Sequence, residues 1–395
     1  MIERARALQD ELIRLRRDIH SHPELGFQET RTAALVADTL TEIGGIRVQT
    51  GVGITGVVGE LGDESGPTIA IRADMDALPI HEANDSGYRS QSDGVMHACG
   101  HDAHTAMLLG AAHLLRERFA AENLRGRVRF LFQPSEESWD KEGKSGAMRM
   151  IDDGALKNVD VVIALHVNST APVGTVATGS GWRSAAVDTF HGWITASGGH
   201  GAFPHKGIDP TFLMLPVLTA IHGIRARRLS PLEPGVISIG TLRSNSNAPN
   251  VIGSEVYLNG TIRTFDEDVR AQIPAELEQA FSIARTLGGD YRFELDRGYI
   301  AGWNDEKVNT WAEQVCTDLL GKEAINPDGK SMAGEDFAYM CREAPGVMIG
   351  LGAMLDDGVN RAHHTPFFDI DERCMPIGSA IVAETALRYL RGELK

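Results

Sequence analysis

Apolar positions change period along the chain, and the change separates its parts. From Arg4 to His20 they recur at helical spacing, and the pattern stops at Pro23. A second helix is predicted from about Glu29 to Ile43. Gly56–Leu61 and Thr68–Arg72 read as short β-runs joined by a Gly/Asp/Glu/Ser turn. Ala106, Met107, Leu108, Ala111, Leu114 and Leu115 then return to helical spacing, the pattern of one buried helix face. Val128–Phe132 and Asp160–Leu165 are apolar strands, the first interrupted only by Arg129. Strands alternating with helices predict an α/β fold with a mixed, mostly parallel sheet covered by helices on both faces.

The pattern changes near Gly181. Val187–Ser197 alternates like a strand, and Asp209–Arg228 is helical around Pro216. Val236–Leu242 and Glu255–Thr264 are strands, Asp266–Leu287 a helix, and Tyr291–Asp296 a strand. That βαββαβ order is the ferredoxin-like unit. The α/β pattern resumes near Trp303, with Asn304–Leu320 helical, a further helix opening at Ala333–Phe337, Val347–Leu351 a strand and Glu372–Leu390 a closing helix. The expected organisation is a first domain made of 1–181 and 297–395, interrupted by an inserted α+β domain at 182–296.

Chemistry gathers where the predicted strands end. Asp74-Met75-Asp76 follows one strand, Gln133-Pro134-Ser135-Glu136-Glu137 another, and His166 a third. In open α/β sheets the carboxyl ends of strands are where sites form. Met96–Thr105 packs Cys99, Asp102, His97, His101 and His104 into ten residues at a helix start. There the helix dipole favours a thiolate, and Gly100 lets the backbone turn so that Cys99 and His101 reach one ion. His364, in the polar loop Arg361–Phe367, completes the candidates. Mixed N, O and S donors suit zinc, manganese, cobalt or nickel and do not suit magnesium or calcium. They are too many for one tetrahedral site, and two ions sharing a ligand fit better. His20 and His22, beside a proline turn, read as packing groups or as groups that support the ligands from behind.

Charge and cysteine usage narrow the classes. The formal net charge of −16 argues against nucleic acid and anionic membranes as partners. No apolar stretch is long enough for a bilayer, and Met1–Arg17 lacks the apolar centre of a secretion signal. Four cysteines do not make a disulfide framework, so a cytoplasmic, reducing compartment is expected.

Several stretches together resemble the zinc-peptidase and aminoacylase family, in its amidohydrolase branch with hippurate hydrolases and auxin-amide hydrolases. They include Arg17–Glu24, Arg72–Pro79, His97–Asp102, Gln133–Glu137, Ala164–Val167 and Gly198–His205. Ala248–Ile252, Gly260–Phe265, Gly334–Phe337 and His364–Pro366 continue the match in one order over nearly the whole chain. The resemblance implies a phosphorylase/hydrolase-like metallopeptidase core with a lid inserted in it. It maps Cys99, His101, Glu137, His166 and His364 onto five ligands of two divalent ions. It maps Glu136 onto the general base and acid, and Asp76 onto the carboxylate that orients a ligand from behind. His200, Asn250 and Arg263 fall on substrate-contacting positions of the lid, which in the family also carries the dimer contact. Two departures stand out. Ser138–Lys144 replaces an early Gly-rich stretch, placing Trp139 where it can shape a leaving-group pocket or pack on the surface. Gly253 stands where the branch usually has proline after Asn-Val-Ile.

The implied activity is metal-dependent hydrolysis of an N-acyl amino acid or a related small amide by a homodimer or dimer-based oligomer. Two alternatives stay open: a dinuclear exopeptidase or dipeptidase, which needs a place for a free amino terminus, and a non-catalytic metal- or ligand-binding protein, which has no use for Glu136 beside Glu137.

Overall fold

The computed structural model describes residues 1–394. Its strands are β1 (Arg47–Val52), β2 (Gly56–Gly62), β3 (Thr68–Asp74), β4 (Arg127–Gln133), β5 (Val161–Asn168), β6 (Val176–Ala177), β7 (Gly181–Ser184) and β8 (Ala186–Thr195). They continue with β9 (Gly199–His200), β10 (Gly235–Ser244), β11 (Val251–Ile252), β12 (Glu255–Thr264), β13 (Asp290–Arg297), β14 (Gly302–Asn304), β15 (Ile325–Asn326) and β16 (Gly346–Gly352). The helices are α1 (Ile2–Arg6), α2 (Gln9–Ser21), α3 (Thr30–Ile43), α4 (His101–Ala121), α5 (Gly146–Asp152), α6 (Pro210–Arg227), α7 (Glu267–Thr286), α8 (Glu306–Leu320), α9 (Phe337–Glu343) and α10 (Met375–Leu390). Two compact units result. One holds Met1–Arg183, Trp303–Gly329 and the chain from Asp336 on; the other holds Ser184–Gly302 with Lys330–Glu335. Among the described residues no helix is long and apolar enough to cross a membrane.

The first unit is built on an eight-stranded sheet in the order β1-β2-β4-β3-β5-β16-β6-β15. Strand residues point alternately to its two faces. Ile69, Ile71, Phe130, Phe132, Ile163 and Leu165 enter one core with the apolar faces of α4 and α10. Their neighbours Ala70, Leu131, Val162 and Ala164 enter a second core with Met150 of α5 and Phe337 and Met340 of α9. β3, β4, β5 and β16 run parallel. β1 and β2 are antiparallel additions at the edge. The short runs β2 and β3 do not pair with each other as adjacent strands joined by a turn would; β4 lies between them, antiparallel to β2 and parallel to β3.

Other expectations shift for physical reasons. The N-terminal helix is two helices, interrupted at Ala7 and Leu8. α4 is buried all round from His101 to Ala112, not on one face, because it lies inside the unit against α2, α3 and α10. Gly110 and Gly378 permit that closeness: a Cβ on Gly378 would lie 2.2 Å from Met107 Sδ. His166 sits within β5 and not beyond its end, because parallel pairing with β16 continues through Asn168.

The second unit has an antiparallel sheet in the order β10-β12-β8-β13. Phe190, Ile194, Leu258 and Ile262 of the sheet pack with Leu213, Val217 and Ile221 of α6 and Ile273, Leu277 and Phe281 of α7. Gly192 is required beneath α7, since a Cβ there would lie 2.1 Å from the Phe281 ring.

Candidate active site

The site begins at the turn into α4. Gly100 takes φ 96°, a left-handed conformation that favours glycine, and a Cβ there would lie 2.3 Å from Val167 Cγ2. Its carbonyl accepts the amides of Ala103 and His104. Cys99 and His101 therefore flank a sharp turn and share one side. Asp102 turns away from this centre: its carboxylate accepts from Arg16 Nε at 2.8 Å and lies 2.8 Å from His20 Nδ1.

Cys99 Sγ lies 3.5 Å from His166 Nε2 and 3.7 Å from His363 Nδ1. His364 Nε2 lies 2.9 Å from Glu137 Oε1. Ligand-type atoms of Cys99, His101 and His166 form one close group, those of Cys99, Glu137 and His364 another. Cys99 belongs to both. A third group joins His101 to Glu136 and Glu137.

The imidazoles are oriented from behind. His101 Nδ1 lies 2.9 Å from the Asp76 carbonyl and 3.1 Å from Asp76 Oδ1, so it carries the proton and donates it there. His166 Nδ1 donates to the Val167 carbonyl at 2.7 Å. Each ring thus turns Nε2 inward as a lone-pair donor, the arrangement in which a histidine ligates a metal. His101 Nε2 and Glu137 Oε1 are buried with no hydrogen-bond partner; Glu137 Oε1 and His364 Nε2 are close without bonding geometry. Convergent, unbonded donors of this kind suit an ion between them.

Electrostatics agree with that fit. Burial pushes the Cys99 thiol up, but the His166 and His101 rings outweigh it and hold the thiol well below its usual range. The close approach of Cys99, then of the Glu137 carboxylate, pushes His364 up to about 10. Burial opposes charge on His101, yet Asp74 and Cys99 raise it well above an ordinary imidazole. Protons here offset a surplus of anionic donors, and a divalent cation would displace them.

Asp76 spans two elements: besides His101, its Oδ2 accepts the Glu137 amide at 2.9 Å. Glu136 is buried beside Glu137. Two residues outside the expected ligand set also line the cluster. His104 Nδ1 lies 2.6 Å from Asp74 Oδ1, and its Nε2 accepts the Val167 amide at 2.9 Å. His363 Nε2 accepts the Ser169 amide at 3.3 Å. His104 stood in the same ten residues as Cys99; His363 is adjacent to His364, and spacing does not separate the two.

The remaining candidates lie in the second unit. His200 is on β9, paired with Val251 of β11, and is exposed. The Asn250 carbonyl accepts the Gly201 amide at 2.8 Å, and the residue is exposed. Gly253 follows this turn, and a Cβ there would lie 2.4 Å from Asn245 Oδ1, the end of an exposed side chain. Arg263 is half-buried on β12; its hydrogen bonds go to Thr261 Oγ1 at 3.1 Å and the Met332 carbonyl at 3.5 Å, neither an acid. The inserted loop after Glu137 closes on itself, with Asp140 accepting the amides of Glu142 and Lys144 and pairing with Arg149. Trp139 is 37% exposed beside it.

The sequence pattern of peptidase family M20/M25/M40 matches residues 70–388. The chain is 37% identical over 388 residues to thermostable carboxypeptidase 2 of Saccharolobus solfataricus, covering 97% of this chain and 96% of that one. It is 38% identical over 388 residues to the N-acetyl-L-cysteine deacetylase of Bacillus subtilis, covering 97% and 89%. A crystal structure of a dinuclear metal binding peptidase of the M20 family from Bacillus subtilis superposes with a TM-score of 0.82 at 33% identity, covering 98% of this chain and 99% of that one.

Proposed function

The chain belongs to peptidase family M20/M25/M40, and from that premise we propose how its own residues hydrolyse an amide. It is a metal-dependent amidohydrolase. The observation that carries the residue roles is the sharing of Cys99 by two ligand groups. Cys99 with His101 and His166 would hold one divalent ion, and Cys99 with Glu137 and His364 the second. The N, O and S donors favour zinc, manganese, cobalt or nickel. When bound, such a pair supplies Lewis acidity, acidifying water and polarising the amide carbonyl. Glu136 accepts the proton of the attacking water and returns it to the leaving amine. Asp76 fixes His101 and the Glu137 backbone together. His200 and Asn250 contact the substrate, and Arg263, a half-buried guanidinium bonded to no acid, receives its carboxylate.

The substrate class is an N-acyl amino acid or related small amide, which the deacetylase relative supports. A carboxypeptidase reading, supported by the thermostable relatives, uses the same chemistry and the same carboxylate contact. The second unit, 182–296 at its core, acts as lid and dimer contact. Four free cysteines suit a reducing cytoplasm.

The test separates the adjacent acids. Glu137→Gln removes an anionic ligand, so bound metal and stability should fall together. Glu136→Gln should keep metal and substrate binding while turnover drops about 100- to 10,000-fold. Metal analysis beside acetyl-amino acid and dipeptide turnover decides it. Loss of metal in Glu136→Gln with both metal and turnover kept in Glu137→Gln would reverse the roles. Full activity after exhaustive chelation would remove the reading altogether.

A further inference from the structure

Consecutive residues of an extended chain point to opposite sides. Glu136 and Glu137 nevertheless both reach His101. The segment turns because Ser135 adopts φ 44°, a left-handed conformation uncommon for a residue other than glycine. Something must hold it there.

Glu29 occupies the N-cap position of α3, but its side chain makes no cap. Glu24, from the His22-Pro23-Glu24 turn, caps the helix instead. Its two oxygens accept the amides of Arg31 at 2.9 Å and Thr32 at 2.8 Å. Glu29 is thereby released. Fully buried, it reaches out of its own helix and accepts the Ser135 amide at 2.8 Å through Oε1. Oε2 accepts the Thr55 hydroxyl at 2.5 Å. The far end of the segment is held by Asp76 on the Glu137 amide, and the Ser135 carbonyl accepts the Gly146 amide at 2.9 Å. Burial, then the nearby Asp76, pushes the Glu29 carboxyl up to about 7. Such a site tolerates the neutral group, and an amide of the same shape can replace it.

We propose that Glu29 is a positioning residue for the acid pair: with Thr55 behind it, its carboxyl fixes the left-handed turn at Ser135 that presents Glu136 and Glu137 to one centre. The inference rests on Glu136 as the proton carrier for its kinetic consequence, and on the backbone geometry alone for its structural one.

Both consequences are measurable in the metal-loaded, full-length protein. Glu29→Ala should lower kcat about 10- to 100-fold, the scale of a small misplacement of a catalytic group, with KM nearly unchanged and bound metal falling far less than in Glu137→Gln, because Asp76 still holds the Glu137 amide. Thr55→Val, which preserves side-chain shape, should lower it less. Glu29→Gln keeps an oxygen for the Ser135 amide and a donor for Thr55, and should recover most of the loss. Hydrogen–deuterium exchange across 134–138 should quicken in Glu29→Ala and Thr55→Val and return toward the parent rate in Glu29→Gln. Unchanged exchange in both of the first two variants would overturn the clamp. So would a Glu29→Gln protein as impaired as Glu29→Ala, since charge and not hydrogen-bond acceptance would then matter. If Glu29→Ala fails to fold, Thr55→Val with Glu29→Gln decides by the same readouts. Exchange is read without substrate, so a parent protein that cleaves no amide would defeat the assignment of Glu136 while leaving the clamp decidable.

Discussion

Some residues face the centre of the site and others hold those in place from behind, and the sequence exposes the two unequally. Cys99, His101, Glu137, His166 and His364 stand out because metal-type side chains at strand ends and helix starts are uncommon as decoration. Their orienting partners do not stand out, because a hydrogen bond to a backbone carbonyl leaves no mark in residue type. Arg16 illustrates this. In sequence it is one charge on an amphipathic helix; in the fold it is fully buried, with Asp102 at 2.8 Å, Asp369 at 2.7 Å and Glu372 at 3.2 Å. Burial alone would raise Asp102 and Asp369, but Arg16 outweighs it and holds both low. Arg16→Met leaves Asp102 with His20 and Asp369 with the Tyr88 hydroxyl but neither with its guanidinium, and should cost up to roughly 3–5 kcal/mol near neutral pH. Acids whose folded pKa is depressed contribute stability that is present above their unfolded pKa, about 3.9 for Asp, and lost as pH falls through the folded value. The difference between parent and variant should therefore shrink as pH falls below about 4. Urea unfolding near neutrality and at about pH 3.5 measures both numbers; a gap that stayed constant would detach Arg16 from these carboxylates.

Elements were legible where their period was unambiguous. β12 occupies the predicted Glu255–Thr264, and α6, α7 and α8 begin within two residues of expectation. β1 was missed because Arg47, Gln49 and Thr50 are polar and exposed on an edge strand, so no apolar alternation marks it. α4 misled in the other direction, since a helix buried all round shows little amphipathic contrast. What its sequence did mark was its start. Gly100 combines a left-handed φ with contact against Val167, so Gly100→Ala meets two penalties at once. The left-handed conformation costs about 1–2 kcal/mol for a residue with a Cβ, and the added methyl about 1–3 kcal/mol in a packed site. Because the turn sets Cys99 against His101, bound metal should fall along with the unfolding midpoint. A Gly100→Ala protein with parent-like metal content and stability would show that the turn does not set the pair.

Across the whole molecule, periodicity reports where a pattern changes and not which distant segments rejoin. The shift near Gly181 announces a new unit, but Lys330–Glu335 joins that unit from far along the chain without any periodic signal. Assembly is less visible still. α6 turns Leu213, Val217 and Ile221 into its unit's core, while Phe212 and Leu215 are each 61% exposed on another face. Side chains three apart on a helix lie side by side, so these two form one apolar patch. On the same unit, β10 is an outer strand of its sheet with Leu242 half exposed. Edge strands and apolar helix faces invite pairing, and the family resemblance assigns this unit the dimer contact. A dimer formed through α6 would bury Phe212 and Leu215 against their symmetry mates, where added carboxylates would face one another at close range. Phe212→Glu with Leu215→Glu should therefore shift the light-scattering mass from twice 42.7 kDa to 42.7 kDa. The unfolding midpoint of the separated chain should change little, since neither residue belongs to the core. A parent protein already at 42.7 kDa, or a double variant that stays dimeric, would place the contact elsewhere or dispense with it.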